Sequence, residues 1–184
     1  MDARPEVEVA PVRGRTDVER VSERELVVRR TFDAPARLVF EAWTRPELFL
    51  RWWAPKSSGV PLLSCEMDVR TGGKYRLEFG QDAGSTWTFF GKYLEVTPPS
   101  RLVWTNDEGE DEGAITTVTF EETNGRTRLV LRDLYPSKDA LDEAMASGST
   151  SGFDEQFEQA HPVLRSSGRG VRAGGSRSGR RTTG

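Results

Sequence analysis

Apolar and polar residues alternate from Glu25 to Phe32, with Leu26, Val28 and Phe32 on one face, which predicts a first strand. The period then changes. Asp33 and Ala34 precede Pro35, a helix-start arrangement because proline leaves no donor unpaired in the first turn, and Leu38, Val39, Ala42 and Trp43 follow on one helical face. A second helix is expected at once: Thr44 and Glu47 read as a capping box around Pro46, and Leu48 with Trp52 and Phe49 with Trp53 are i,i+4 pairs. Two helices this short do not persist alone in water, so their apolar faces must rest on something larger.

That larger element is a run of strands. From Pro61 onward Cys65, Met67 and Val69 oppose Glu66, Asp68 and Arg70, and after a turn at Thr71-Gly72-Gly73 the residues Tyr75, Leu77 and Phe79 oppose Lys74, Arg76 and Glu78. Residues 82–85 turn again, and residues 87–96 make a long strand in which Gly91 marks a bulge or bend. Two further strands, 101–105 and 115–121, flank a solvated acidic loop over 107–112, and Asn124-Gly125 turns the last of them into a partner over 127–135. A strand, two helices and then hairpin-connected strands define an α+β class with an antiparallel meander of about six or seven strands. A helix is expected over 137–145. Ser151 with Asp154 signals another, carrying Phe153, Phe157, Ala160 and Leu164 at helical spacing, but Pro162 interrupts its ladder.

Composition changes this picture mainly at the ends. The 184 residues, 35% hydrophobic, suit one domain with tails. Residues 1–24 hold no sustained apolar period and are expected to form a disordered arm, residues 25–160 the domain, and residues 161–184 a disordered Arg/Gly/Ser tail. The single cysteine, Cys65, excludes an internal disulfide, and without an apolar run after Met1 or a window of membrane length a cytoplasmic protein is expected. The net charge of −3 is uneven: six arginines lie beyond residue 160, leaving 20 bases against 29 acids before them. An acidic body argues against nucleic acid as partner.

Several runs carry a resemblance: Arg30-Thr-Phe-Asp-Ala-Pro35, Val39-Phe-Glu-Ala-Trp-Thr44, Arg51-Trp-Trp-Ala-Pro55 and Cys65-Glu-Met-Asp-Val-Arg-Thr-Gly-Gly-Lys-Tyr75, followed by Glu95-Val-Thr-Pro-Pro99, Arg101-Leu-Val-Trp104 and Gly152-Phe153. From about Glu25 to about Gln159 the chain resembles the homologues of the activator of heat-shock protein ATPase, within the SRPBCC (START-like, birch-pollen-allergen-like) superfamily. The resemblance implies a helix-grip fold, in which a long C-terminal helix lies across the concave face of the sheet and the space between them is a ligand cavity. It also implies a link to the stress response.

The chemistry weighs toward binding rather than catalysis. His161 is the only histidine, so no catalytic triad and no closed metal site of nitrogen and sulfur ligands is available, and no cofactor is expected. Gly72-Gly73 and Gly168-Arg169-Gly170 lack the strand-to-helix context of a phosphate loop. Cys65, on the apolar side of its strand, reads as an inert thiol. Asp133 alternates onto the face of Leu129, Leu131 and Tyr135, which makes it either a polar group inside the cavity or a strand-end residue in water. Large rings remain, supplied by the helices and the sheet, and as a set they suit a concave apolar pocket. The expected partner is therefore a small apolar or aromatic ligand, lined by Trp53, Tyr75, Phe79, Trp87, Trp104 and Phe153 with Asp133 beside it. One alternative, implied by the family, is a module that stimulates a heat-shock chaperone ATPase, although only about 24 residues precede the first strand where the family's eukaryotic co-chaperones carry a chaperone-binding domain. Another is a cavity enzyme of cyclase or hydrolase type using Asp133, Tyr75 or Arg30.

The tail raises a separate expectation. Six arginines, six glycines and four serines among its 24 residues leave little to bury, so the covering helix is expected to stop near Ala160. A basic arm for nucleic acid is one reading of the arginines, and a reading-frame shift near codon 160 is the preferred one.

Overall fold

The computed structural model describes residues 14–82, 84–107 and 113–172; the expected loop over 108–112 and the outer parts of both expected tails lie outside the described residues. Eight strands form one antiparallel sheet: β1 (Asp17–Arg20), β2 (Glu25–Phe32), β3 (Leu62–Met67), β4 (Lys74–Asp82), β5 (Ser85–Thr97), β6 (Arg101–Thr105), β7 (Ile115–Thr123) and β8 (Arg126–Leu134), in the order β1-β2-β8-β7-β6-β5-β4-β3. The helices α1 (Ala36–Thr44) and α2 (Pro46–Phe49) follow β2, α3 (Lys138–Ala146) follows β8, and α4 (Phe153–Arg172) runs to the end of the described chain. This is the helix-grip arrangement, with a sheet open at both edges and the C-terminal helix packed against it.

The eighth strand lies in the stretch expected to be a disordered arm. β1 has no apolar period because it needs none: all four residues pair with β2, and Arg29 bonds Asp17 and Glu19 across the pair, each at 2.9 Å. Main-chain pairing and cross-strand charge hold this edge.

The long helix also departs from expectation. α4 does not stop near Ala160 but continues through Pro162, with Ala160, Val163 and Leu164 buried and Gly168 facing Leu38. Pro162 is exposed. The donor it lacks is therefore missing on the solvent side, where water can serve the freed carbonyl, and the buried stripe keeps its helical spacing. The expected stop near Ala160 is thus not found, and the covering helix is continuous to Arg172.

The caps differ in detail. α1 receives no cap from Asp33, which pairs with Arg126; instead Glu122 of β7 accepts from the Ala36 amide at 2.7 Å. The Thr44 hydroxyl turns back to the Phe40 carbonyl at 2.9 Å, so the capping box does not form, and the Ser151 hydroxyl donates to Gly148 rather than to α4. Ser137 does cap α3, accepting from the Ala140 amide.

The core is largely aromatic where the helices meet the sheet. Trp43 of α1 packs edge-on against Trp52 at 4.9 Å, Phe49 stacks on Trp53 at 4.7 Å, and Phe157 of α4 sits against Phe32 at 5.5 Å. Polar contacts add register: the Gln159 amide donates to the carbonyls of Trp52 and Ala54, and Gln156 to that of Trp53, so α4 is pinned to the segment after α2.

Candidate functional site

Between the concave face of β3–β6, the segment after α2 and the first turns of α4 lies a cleft with two adjoining lobes. The first, about 400 Å³, is aromatic and aliphatic: Tyr75, Leu77 and Phe79 of β4, Phe89 and Tyr93 of β5, Leu102 and Trp104 of β6, with Trp43 and Trp53 above them. The second, about 710 Å³, shares Trp53, Tyr75, Phe89, Trp104, Asn106, Ser149 and Gln156 with the first, and reaches Asp133 near the end of β8, Tyr135 just beyond it and the inner side of α3. Alternation along the strands produces this wall, since Tyr75, Leu77 and Phe79 project to one face while Lys74 and Arg76 project to the other. β4 and β5 pair Leu77 with Phe89, adding that ring to the same face.

Gly91 belongs to this geometry. A Cβ there would lie 1.9 Å from the Thr105 carbonyl oxygen and 2.9 Å from the Tyr75 ring, so only glycine lets the β6 backbone and Tyr75 close over β5. The irregularity in β5 falls later, between Tyr93 and Glu95, and Gly91 serves close approach instead of a bulge. Tyr75 then donates to the Thr105 carbonyl at 2.6 Å, and burial holds its phenol above the ordinary range.

The seven residues expected at the site separate as follows. Trp53, Tyr75 and Trp104 line both lobes, Phe79 the first, and Asp133 and Phe153 the second. Trp87 lines neither. It pairs with Phe79 and shares its face, but it lies one step nearer the β4–β5 hairpin and is 55% exposed. Phe89, one of the large rings that as a set suit a pocket, also lines the cleft, together with the polar Asn106 and Gln156, which sequence reasoning missed. Phe89 was discoverable from its alternation with Trp87, whereas the two polar residues carry no signal apart from their place in the fold.

Of the two positions considered for Asp133, the structure shows the interior one. The carboxyl is 9% exposed and accepts from the Thr116 hydroxyl, which itself accepts from Asn106 Nδ2 at 2.9 Å. Burial pushes the Asp133 carboxyl up to about 6, partly offset by the Thr116 hydrogen bond. Its pKa is higher folded than unfolded, so between the two values the native state holds the extra proton and stability falls as pH rises; above about 6 the ionised group costs about 3 kcal/mol. Asp133→Asn should therefore raise the urea midpoint at pH 7.5 by the equivalent of about 1–3 kcal/mol and leave it nearly unchanged at pH 4. An equal change at both pH values would show that packing, and not ionisation, is responsible.

Other chemistry is sparse. Arg30 does not reach the cleft but is buried under α4. Cys65 is half-buried with its thiol pushed up to about 11 by burial, which disfavours the thiolate. Among the described residues no three His, Cys, Asp or Glu side chains are grouped to hold a metal ion, and no helix is long and apolar enough to cross a membrane.

The sheet and its C-terminal helix define a helix-grip domain, with the cleft lying between them. Residues 33–161 match the family described as activator of Hsp90 ATPase homolog 1-like protein, and the chain belongs to that family. A solved structure from Rhodobacter sphaeroides is similar at 25% identity and a TM-score of 0.75, covering 83% of this chain and 99% of that one. Protein NE0264 from Nitrosomonas europaea follows at 23% identity and 0.71, covering 80% and 98%. An AHSA1-like protein from Aeromonas hydrophila shares the fold at 22% identity and 0.56, covering 73% and 93%. No curated protein matches the sequence.

Proposed function

We propose that this chain is a binding protein for a small apolar or aromatic ligand held between the sheet and α4. The observation that supports it most is that the two lobes share a wall: rings from α1, the segment after α2, β4, β5 and β6 pack on one another and still border one concave space. Pockets of this size with mostly apolar walls and a few convergent polar groups suit small molecules. Here those groups are Asn106, Gln156 and Asp133. Titration with 2-naphthalenemethanol, followed by tryptophan fluorescence and calorimetry, should give saturable binding. Trp104→Ala should weaken it by about tenfold through lost ring contact, while Trp87→Ala, outside the cleft, should leave it unchanged. Equal affinities for both variants would place the ligand elsewhere.

The family description supports a second reading, stimulation of a heat-shock chaperone ATPase. A steady-state ATPase assay with the cognate chaperone distinguishes it, because a cleft binder should leave the hydrolysis rate unaltered.

A further inference from the structure

Among the described residues, the charged side chains that line the cleft are all of one sign. The first lobe has no charged lining residue, and the second has Asp107, Asp133 and Glu143 with no lysine, arginine or histidine beside them. A ring of acids at a mouth could be mere solvated surface, but Asp133 is different. It is 9% exposed, inside the lobe, and only Oδ1 is engaged: Thr116 donates to it, and the Thr116 oxygen is in turn occupied by Asn106. For Oδ2 no hydrogen-bond partner is present among the described residues.

Resting on the cleft as the binding site, we infer that its ligand is a cation, an aromatic or apolar compound carrying a protonated amine, with the amine at Asp133 and the apolar body among Trp53, Tyr75, Phe89 and Trp104. Three physical points favour a cation. The carboxylate has already lost its water on folding, so the incoming ammonium loses only its own and gains a charge-assisted bond in a poorly screened site. Ring faces attract a cation and offer nothing to an anion. The outer acids, Asp107 and Glu143, raise the local concentration of cations and repel anions at the entrance. Pairing is also reciprocal: a bound ammonium favours the charged form of Asp133, which burial alone disfavours.

Calorimetry at pH 7.5 with three ligands of one shape tests this: 2-naphthylmethylamine, 2-naphthalenemethanol and 2-naphthoate. The amine is expected to bind about tenfold or more tightly than the alcohol, and the carboxylate more weakly than the alcohol. In Asp133→Asn the amine's advantage over the alcohol, each measured on the same variant, should fall to about twofold or less. Should that variant not fold, Asp107→Asn with Glu143→Gln removes two rim charges and should cut the amine's advantage by about threefold, with a matching loss of salt dependence. Alcohol binding with no preference for the amine, or naphthoate binding as tightly as the amine, overturns the inference and leaves the cleft as the site. Failure of all three probes overturns both.

Discussion

Trp52→Ala is expected to destabilise the domain by about 3–5 kcal/mol, the range for removing a large ring from a well-packed core. Trp52 is 1% exposed and meets Trp43, Phe49, Trp53 and Phe157, so one truncation opens a void touching α1, α2 and α4 together. Its nitrogen adds a second term. Near the end of α1 the Ala42 carbonyl would ordinarily accept from the amide four residues on, but that residue is Pro46, which has none. Trp52 Nε1 donates to this carbonyl at 2.9 Å, in a buried position. Trp52→Phe should thus cost about 1–3 kcal/mol even though most of the ring volume is retained, because the carbonyl is left without a donor. Urea unfolding followed by far-ultraviolet circular dichroism separates the two effects. A phenylalanine variant as stable as the parent would show that the hydrogen bond contributes nothing and that volume alone matters.

The same stretch illustrates what could be read from the chain and what could not. The i,i+4 pairing of Phe49 with Trp53 and the α1 face were legible because apolar spacing is a local property, and so were the paired strands β3 to β8, where a period of two prevails between the register shifts. Capping was less legible. Thr44 and Ser151 have the right residue type, yet each hydroxyl found a nearer carbonyl, and α1 took its first-turn acceptor from Glu122, which is 86 residues away in sequence. β1 escaped because its stability comes from pairing and charge, with Val18 its one aliphatic side chain. The far half of α4 escaped because composition averages over a helix, whereas burial follows a stripe: Val163 and Leu164 are buried while Arg165 and Ser166 on the other side are exposed. In the cleft, face was legible and extent was not. Alternation placed Trp87 and Phe79 on one side of the sheet, but where the helical roof ends depends on α4 and α2, and it leaves Trp87 outside. The all-acidic charge of the lining is a product of tertiary structure alone, since Asp107, Asp133 and Glu143 come from three separate segments.

Arg30 is the other residue whose loss should be felt throughout. From β2 its fully buried side chain donates to Thr16 at 2.9 Å, to Asp154 at 3.2 Å, to Glu158, and to His161 Nε2 at 2.8 Å, so one guanidinium joins the approach to β1 to the first three turns of α4. Its Nε has no partner among the described residues, and the site serves the two terminal nitrogens. Arg30→Ala should cost about 3 kcal/mol, at the low end for breaking a buried ion pair, because Asp154 and Glu158 stay largely exposed and water receives them. Arg30→Met restores volume without charge and should cost about half as much. The pH profile provides the sharper measurement. Burial first and the Arg30 charge second hold the His161 imidazole below its ordinary value, against the opposing pull of Glu158 and Asp33. With the folded value depressed, the unfolded chain binds the extra proton, so this histidine's contribution is complete above about 6.5 and is lost as pH falls through the folded value. Removing Arg30 takes away one cause of the depression. Between pH 6.5 and 5 the methionine variant should therefore lose less stability than the parent, so that the difference between the two proteins narrows as the solution is acidified. Asp133 titrates identically in both and drops out of that difference. A gap that stays constant or widens on acidification would mean that His161 is not governed by Arg30 and that the clasp acts through packing alone.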